Sequence, residues 1–175
     1  MRYIKTFEAY GSGSSLDAVT TMLSFMAKLG SGMQQKLAQA KLDCIQEVTC
    51  TPLAELFDEE TIEKIKRRVH PVVKECYANA LHTAECLVEQ NVEYCEGYII
   101  FQGIPIEHAF NKIGDKYFDV TQELAIGHDP SEQTYAVIGS WDPETALMVM
   151  ASGPYQCYGE VFDKEFIENN KENVR

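Results

Sequence analysis

Long apolar runs are missing from this chain. Nowhere do 18 apolar residues follow one another, and a helix needs about 20 to cross a bilayer, so no membrane span is expected. The opening MRYIKTFEAYGSGSS lacks the apolar core of an export signal. Positive charge is scarce: 15 Lys and Arg stand against 27 Asp and Glu, a formal net charge of -12. That field repels phosphate backbones, so a nucleic-acid partner is not expected. The one dense basic run, Lys64, Lys66, Arg67 and Arg68, sits among Glu59, Glu60 and Glu63 and reads as the solvated face of a helix. Closely spaced cysteine pairs are also absent. The six cysteines, Cys44, Cys50, Cys76, Cys86, Cys95 and Cys157, contain no Cys-x-x-Cys. Cys76 and His82 point to different helix faces, which argues against zinc, and no cofactor is expected. Without an export signal, free thiols in a reducing cytoplasm are the expectation. The GSGS segment lacks the Lys-Ser/Thr ending of a phosphate loop and reads as a connector. Glu59 with Glu60, or Asp142 with Glu144, carries no spacing signal for glycoside chemistry.

What is present divides into two textures. Residues 1–70 read as helical and as part of the same domain. Leu16, Val19, Leu23 and Met26 recur at helical spacing; Gly30 and Gly32 break the pattern; a second helix is expected from about Met33 to Cys44. Asp58 is a candidate cap for DEETIEKIKRRVH, whose apolar stripe is Ile62, Ile65 and Val69. A further helix is expected from about Val72 to Glu89. After Asn91, YCEGYIIFQG, IPIEHAFNKI, KYFDVT, TYAVIG and TALMVM read as strands. Residues 71–165 form the expected core and 166–175 a polar tail after a short helix. Helices first and an antiparallel sheet afterwards define an α+β fold. Trp141, Tyr155 and Tyr158 could line a pocket, although such aromatic residues more often fill core or edge positions.

Three residues carry chemistry. Cys76 lies early in its helix, where thiolates are favoured. His108 and Asp119 each lie about five residues from the Gly114–Asp115 turn, so a simple hairpin register brings them together. A thiol, an imidazole and a carboxylate together can form a nucleophile, a general base and an orienting group. A single cysteine is more often a small buried hydrophobe, and His108 alone could be a core histidine. The three at hairpin spacing favour a site. Asn79 shares the helix face of Cys76 and is a candidate contact for substrate or oxyanion, and Gln102 is a second candidate lining residue.

The same residues resemble the transglutaminase-like cysteine-enzyme superfamily. The similarity spans Val72 to Thr121 and rests on Cys76-Tyr77-Ala78-Asn79-Ala80, Glu96-Gly97-Tyr98, His108-Ala109-Phe110-Asn111 and Asp119-Val120-Thr121. It departs at Phe110, where members commonly carry tryptophan, and at Lys74 and Glu75, where many carry glycine. The resemblance implies a transglutaminase- or papain-like core with the nucleophile helix packed on the sheet. It implies Cys76 as nucleophile, His108 as base and acid, and Asp119 as the orienting residue. The implied activity is cysteine-dependent hydrolysis of a peptide or isopeptide-like amide. Acyl transfer to an amine by the same triad is the alternative, as is a non-enzymatic interaction protein that keeps the scaffold. The expected partner is a protein, peptide or small amide, neutral or cationic in view of the acidic field. The texture is also similar to small phage and bacterial proteins with this core, which implies the cytoplasm of a bacterium or an infected host.

Overall fold

The structure is a computed structural model that describes residues 15–152 and 159–170. Tyr155, Cys157 and Tyr158 lie outside these residues, as does the whole GSGS connector. Helices α1 (Ser15–Leu29) and α2 (Met33–Cys44) form an antiparallel pair hinged at Gly30 and Gly32. Val19 and Leu23 are fully buried, whereas Met26 is half exposed, so the apolar stripe of α1 is shorter than its spacing suggests. Helix α3 (Leu53–Leu56) is a single turn. Helix α4 (Glu59–Val69) starts at Asp58, whose carboxylate accepts the Thr61 N–H at 2.8 Å, and it buries Ile65 and Val69. Such a cap contributes about 1 kcal/mol.

All the pairs between named strands are antiparallel. Strands β1 (Gln46–Val48), β2 (Val92–Phe101), β3 (Ile104–Ile113), β4 (Lys116–Phe118) and β5 (Thr134–Trp141) pair antiparallel in the order β1-β5-β2-β3-β4. After β1 the chain meets the opposite edge: Cys50 bridges Tyr117, and Thr51 N–H donates to the Tyr117 carbonyl at 2.7 Å. The sheet therefore curls around an interior of Cys50, Cys95, Ile99, Phe110, Tyr135 and Val137. Its outer face carries a larger core, in which Ala80, Leu81 and Ala84 of helix α5 (Cys76–Cys86) pack on Tyr94 and Ala109. Residues 1–70 are thus more than a helical cover, because β1 supplies an edge strand. Three residues are too few to show alternation in sequence.

Glycine is required at Gly97. The register between β2 and β5 slips at Glu96 and Gly97, and a Cβ on Gly97 would sit 1.9 Å from the Ala136 carbonyl oxygen. The neighbouring Glu96 is buried on the outer face. Its carboxylate accepts the Tyr94 hydroxyl at 2.7 Å and the backbone N–H groups of Val161 and Phe162 at 2.9 and 3.1 Å. Those two groups open helix α7 (Val161–Asn169), so Glu96 caps it from 65 residues away.

Three expected elements differ. TALMVM is not a strand but the body of helix α6 (Pro143–Ala151). Asp142 caps it, accepting the N–H and hydroxyl of Thr145 at 2.9 and 2.7 Å, and Pro143 fits the first helical position. The helix expected from Val72 begins only at Cys76, because Lys74 adopts a left-handed φ of 71°. The KYFDVT strand stops at Phe118. Val120 is already helical, and a π-helical turn runs from Thr121 to Ile126.

Candidate active site

The early end of β4 shapes the site. Strand β3 is ten residues long, yet β4 pairs only with Asn111, Lys112 and Ile113. In simple register Asp119 would fall opposite Phe110. Instead the chain turns at Asp119, whose Oδ1 accepts the N–H groups of Thr121 and Gln122 at 2.9 and 3.1 Å. That fixes the carboxylate and leaves Oδ2 free to accept from His108 Nε2 at 2.6 Å. His108 and Asp119 are both buried, so the pair is shielded from water. Tyr135 donates its hydroxyl to the same Oδ2 at 3.1 Å and also hydrogen-bonds the buried Cys50 thiol.

Cys76 is the first residue of α5 and is half buried. Its sulfur hydrogen-bonds the His108 imidazole and accepts the Ala109 backbone N–H. Because Asp119 occupies Nε2, Nδ1 is the ring nitrogen left for sulfur. The Ala109 amide is available for a reason legible in the ladder. Odd-numbered residues of β3 point their backbone groups toward β4, as Ile113 and Asn111 do, and no β4 residue lies opposite Ala109. The thiol occupies the place of the missing rung.

The electrostatics follow from this packing. Burial alone would raise the Cys76 thiol, but the hydrogen bond and charge of His108 and the Ala109 N–H outweigh it, leaving the thiol below its ordinary value of 9.0. Burial alone would lower His108; the charge and hydrogen bond of Asp119, with the Cys76 contact, instead push it up to about 10. Both shifts favour a thiolate–imidazolium pair near neutral pH. Glu75 is exposed at the helix cap, and the principal groups acting on the thiol are His108, Ala109 and Asp119.

Cys76, His108 and Asp119 are therefore brought together, whereas Asn79 and Gln102 have other roles. The Asn79 carboxamide is buried and fully engaged. Its Oδ1 accepts the Val72 N–H at 3.1 Å, and its Nδ2 donates to the Val72 carbonyl at 2.7 Å and to Thr121 Oγ1 at 3.0 Å. It pins the loop before Cys76 to the turn after Asp119 and has no donor left for an oxyanion. Gln102 sits at the tip of the β2–β3 hairpin with φ of 50°, exposed. Gly97 is the partner of His108, so Gln102 lies five residues along β2, about 17 Å at ~3.4 Å per residue. It does not reach the Cys76–His108–Asp119 cluster. Tyr135 and Cys50 escaped notice in the sequence; the only signal was the alternation of Tyr135 and Val137 along TYAVIG.

A recess of about 50 Å³ opens beside the relay, bounded by Lys41, Tyr77, Gly97, Glu107, Glu160 and Asp163 among others. None of the three relay residues lines it, but Tyr77 and Glu107 are their immediate chain neighbours. Lys41 is held there by Asp163 at 2.8 Å. Among the described residues no group of three or more His, Cys, Asp or Glu side chains is arranged to hold a metal ion. No helix among them is long and apolar enough to cross a membrane. Comparison with models of protein families, with curated proteins and with solved structures finds no match.

Proposed function

We propose that this chain is a transglutaminase-like cysteine peptidase or amidase acting through an acyl-enzyme. The observation that carries the proposal is the continuous hydrogen-bonded relay from the Cys76 sulfur through the His108 ring to Asp119 Oδ2. The Cys76 thiolate would attack the carbonyl carbon of an amide, forming the S–C bond. As the C–N bond breaks, the His108 imidazolium gives its proton to the leaving amine. Neutral His108 then takes a proton from water, which attacks the thioester, releases the carboxylic acid and restores the thiolate–imidazolium pair. Asp119 holds the ring and stabilises its cation throughout. The backbone N–H of Cys76, at the first position of α5, is one of the free amides of a helix start and can face the developing oxyanion. The α+β arrangement with α5 against the sheet supports the family likeness read from the sequence. An amine in place of water would give transfer instead of hydrolysis.

The test is turnover of a panel of neutral and cationic peptide and isopeptide amides by the full chain and by Cys76→Ala and His108→Ala. Loss of about 10²–10⁴-fold in the His108 variant, and of all measurable turnover in the Cys76 variant, is expected. Undiminished turnover in Cys76→Ala would sink the proposal.

A further inference from the structure

We infer that the substrate of this relay is an extended peptide whose main chain pairs with the open edge of β3 at Glu107. This rests on the cysteine-enzyme reading and adds the substrate class and the way it is held. On the β2 side, β3 is fully paired from Ile104 to Ile113. On the other side its pairing ends at Asn111, and among the described residues no backbone hydrogen bond reaches Pro105 or Glu107 there. By the alternation of the ladder, the groups facing this edge are the Pro105 carbonyl, the Glu107 N–H and carbonyl, and the Ala109 N–H. Pro105 fits the assignment. Having no N–H, proline inside a regular strand is best tolerated where its nitrogen faces an open edge.

The position of the thiol turns this edge into a site. The Ala109 amide is bound to the Cys76 sulfur, so the nucleophile stands two residues along from Glu107. One residue of an extended chain can exchange two hydrogen bonds with Glu107. The carbonyl one or two residues further on then arrives at the sulfur, since each extended residue advances about 3.4 Å. The edge is also accessible: Ile104 and Ile106 are 56% and 48% exposed, and the Glu107 side chain is 66% exposed. A second copy of this chain is the poorer occupant. Antiparallel self-pairing about Glu107 would set two Glu107 carboxylates side by side, and Pro105 would leave a rung unmade.

The test uses the full chain and three reagents sharing one reactive group: acetyl-trialanyl chloromethyl ketone, its single N-methyl isomers, and chloroacetone. The Cys76 adduct is read by mass spectrometry. The peptidyl reagent should react saturably and roughly tenfold or more faster than chloroacetone, the yield of two main-chain hydrogen bonds. One N-methyl isomer should fall to within about twofold of chloroacetone, since methylation removes one of those bonds and adds bulk at the edge. Glu107→Pro, which lacks the edge donor, should lose the peptidyl advantage and keep the chloroacetone rate, while Glu107→Ala keeps both. Equal rates for all the N-methyl isomers and the parent would overturn the inference. So would a concentration-dependent dimer abolished by Glu107→Pro, which would assign the edge to a second copy. If Glu107→Pro fails to fold, the N-methyl series decides alone. The relay is judged separately. A chloroacetone rate that titrates as an ordinary thiol and ignores His108→Ala removes the enzymatic reading; one that shows a lowered thiol pKa while the N-methyl isomers match their parent removes only the edge.

Discussion

Tyr135 and His108 meet at a single atom: the tyrosine hydroxyl donates to Asp119 Oδ2 at 3.1 Å, and His108 Nε2 lies 2.6 Å from the same oxygen. Together with the two backbone N–H groups on Oδ1, this holds the carboxylate by four contacts inside the curled sheet. In Tyr135→Phe one donor is lost from a buried charge. The fold should be destabilised by about 1.5–3 kcal/mol, read from urea unfolding, with the triad geometry preserved. No change in the unfolding midpoint would mean the hydroxyl contributes nothing to Asp119.

Amide turnover should follow a bell in pH. Thiolate forms as pH rises through the Cys76 value, which lies below 9.0. The proton that His108 would give to the leaving amine in the proposed mechanism is lost as pH rises through about 10. Alkylation of Cys76 needs only the thiolate, so it should rise once with pH and stay high. Parallel alkaline losses in both assays would contradict the assignment of His108 as acid.

The same shift has a stability consequence. His108 has a folded value raised above its ordinary 6.5, so the folded state binds its proton more tightly than the unfolded state. The contribution is fully present below about pH 6.5 and disappears as pH rises through about 10. In a Cys76→Ala background, which removes the thiol's own opposing titration, the thermal unfolding difference between the chain with His108 and its His108→Gln variant, followed from pH 6 to pH 10.5, should therefore shrink with rising pH. A difference that grows over this range would reverse the sign and reject the ion pair.

Asn79→Ala separates scaffold from chemistry. Its side chain satisfies both backbone groups of Val72, so removal should cost about 2–4 kcal/mol in unfolding free energy. An unchanged stability with a large fall in turnover would restore the reading of Asn79 as an oxyanion contact.

Much of this site was legible because its signals are local. Asp58 before an apolar stripe marks the start of α4, and Met33 to Cys44 matches α2. The Gly114–Asp115 turn gives the β3–β4 hairpin, which is enough to bring Asp119 toward His108. What stayed hidden depends on distant partners. β1 is a strand only because β5 lies beside it. TALMVM has the apolar texture of a strand, and the cap at Asp142 overrides it. Asn79 shares the helix face of Cys76 and was read as a substrate contact from that spacing. Its partners, Val72 and Thr121, come from the loop and the turn that the fold folds over it.

Glu96 gives the fold an order in time. Its carboxylate is buried in strand β2, one residue from the glycine that faces His108, yet two of its three hydrogen-bond donors are residues 161 and 162. Until those residues leave the ribosome, closing β2 against β3 and β5 would strand a charge without its donors. A growing chain can therefore form its early helices, but the strand that frames the thiol is settled only once residues 161 and 162 have been made. The pocket around Cys76 is therefore complete only on chains that already carry α7.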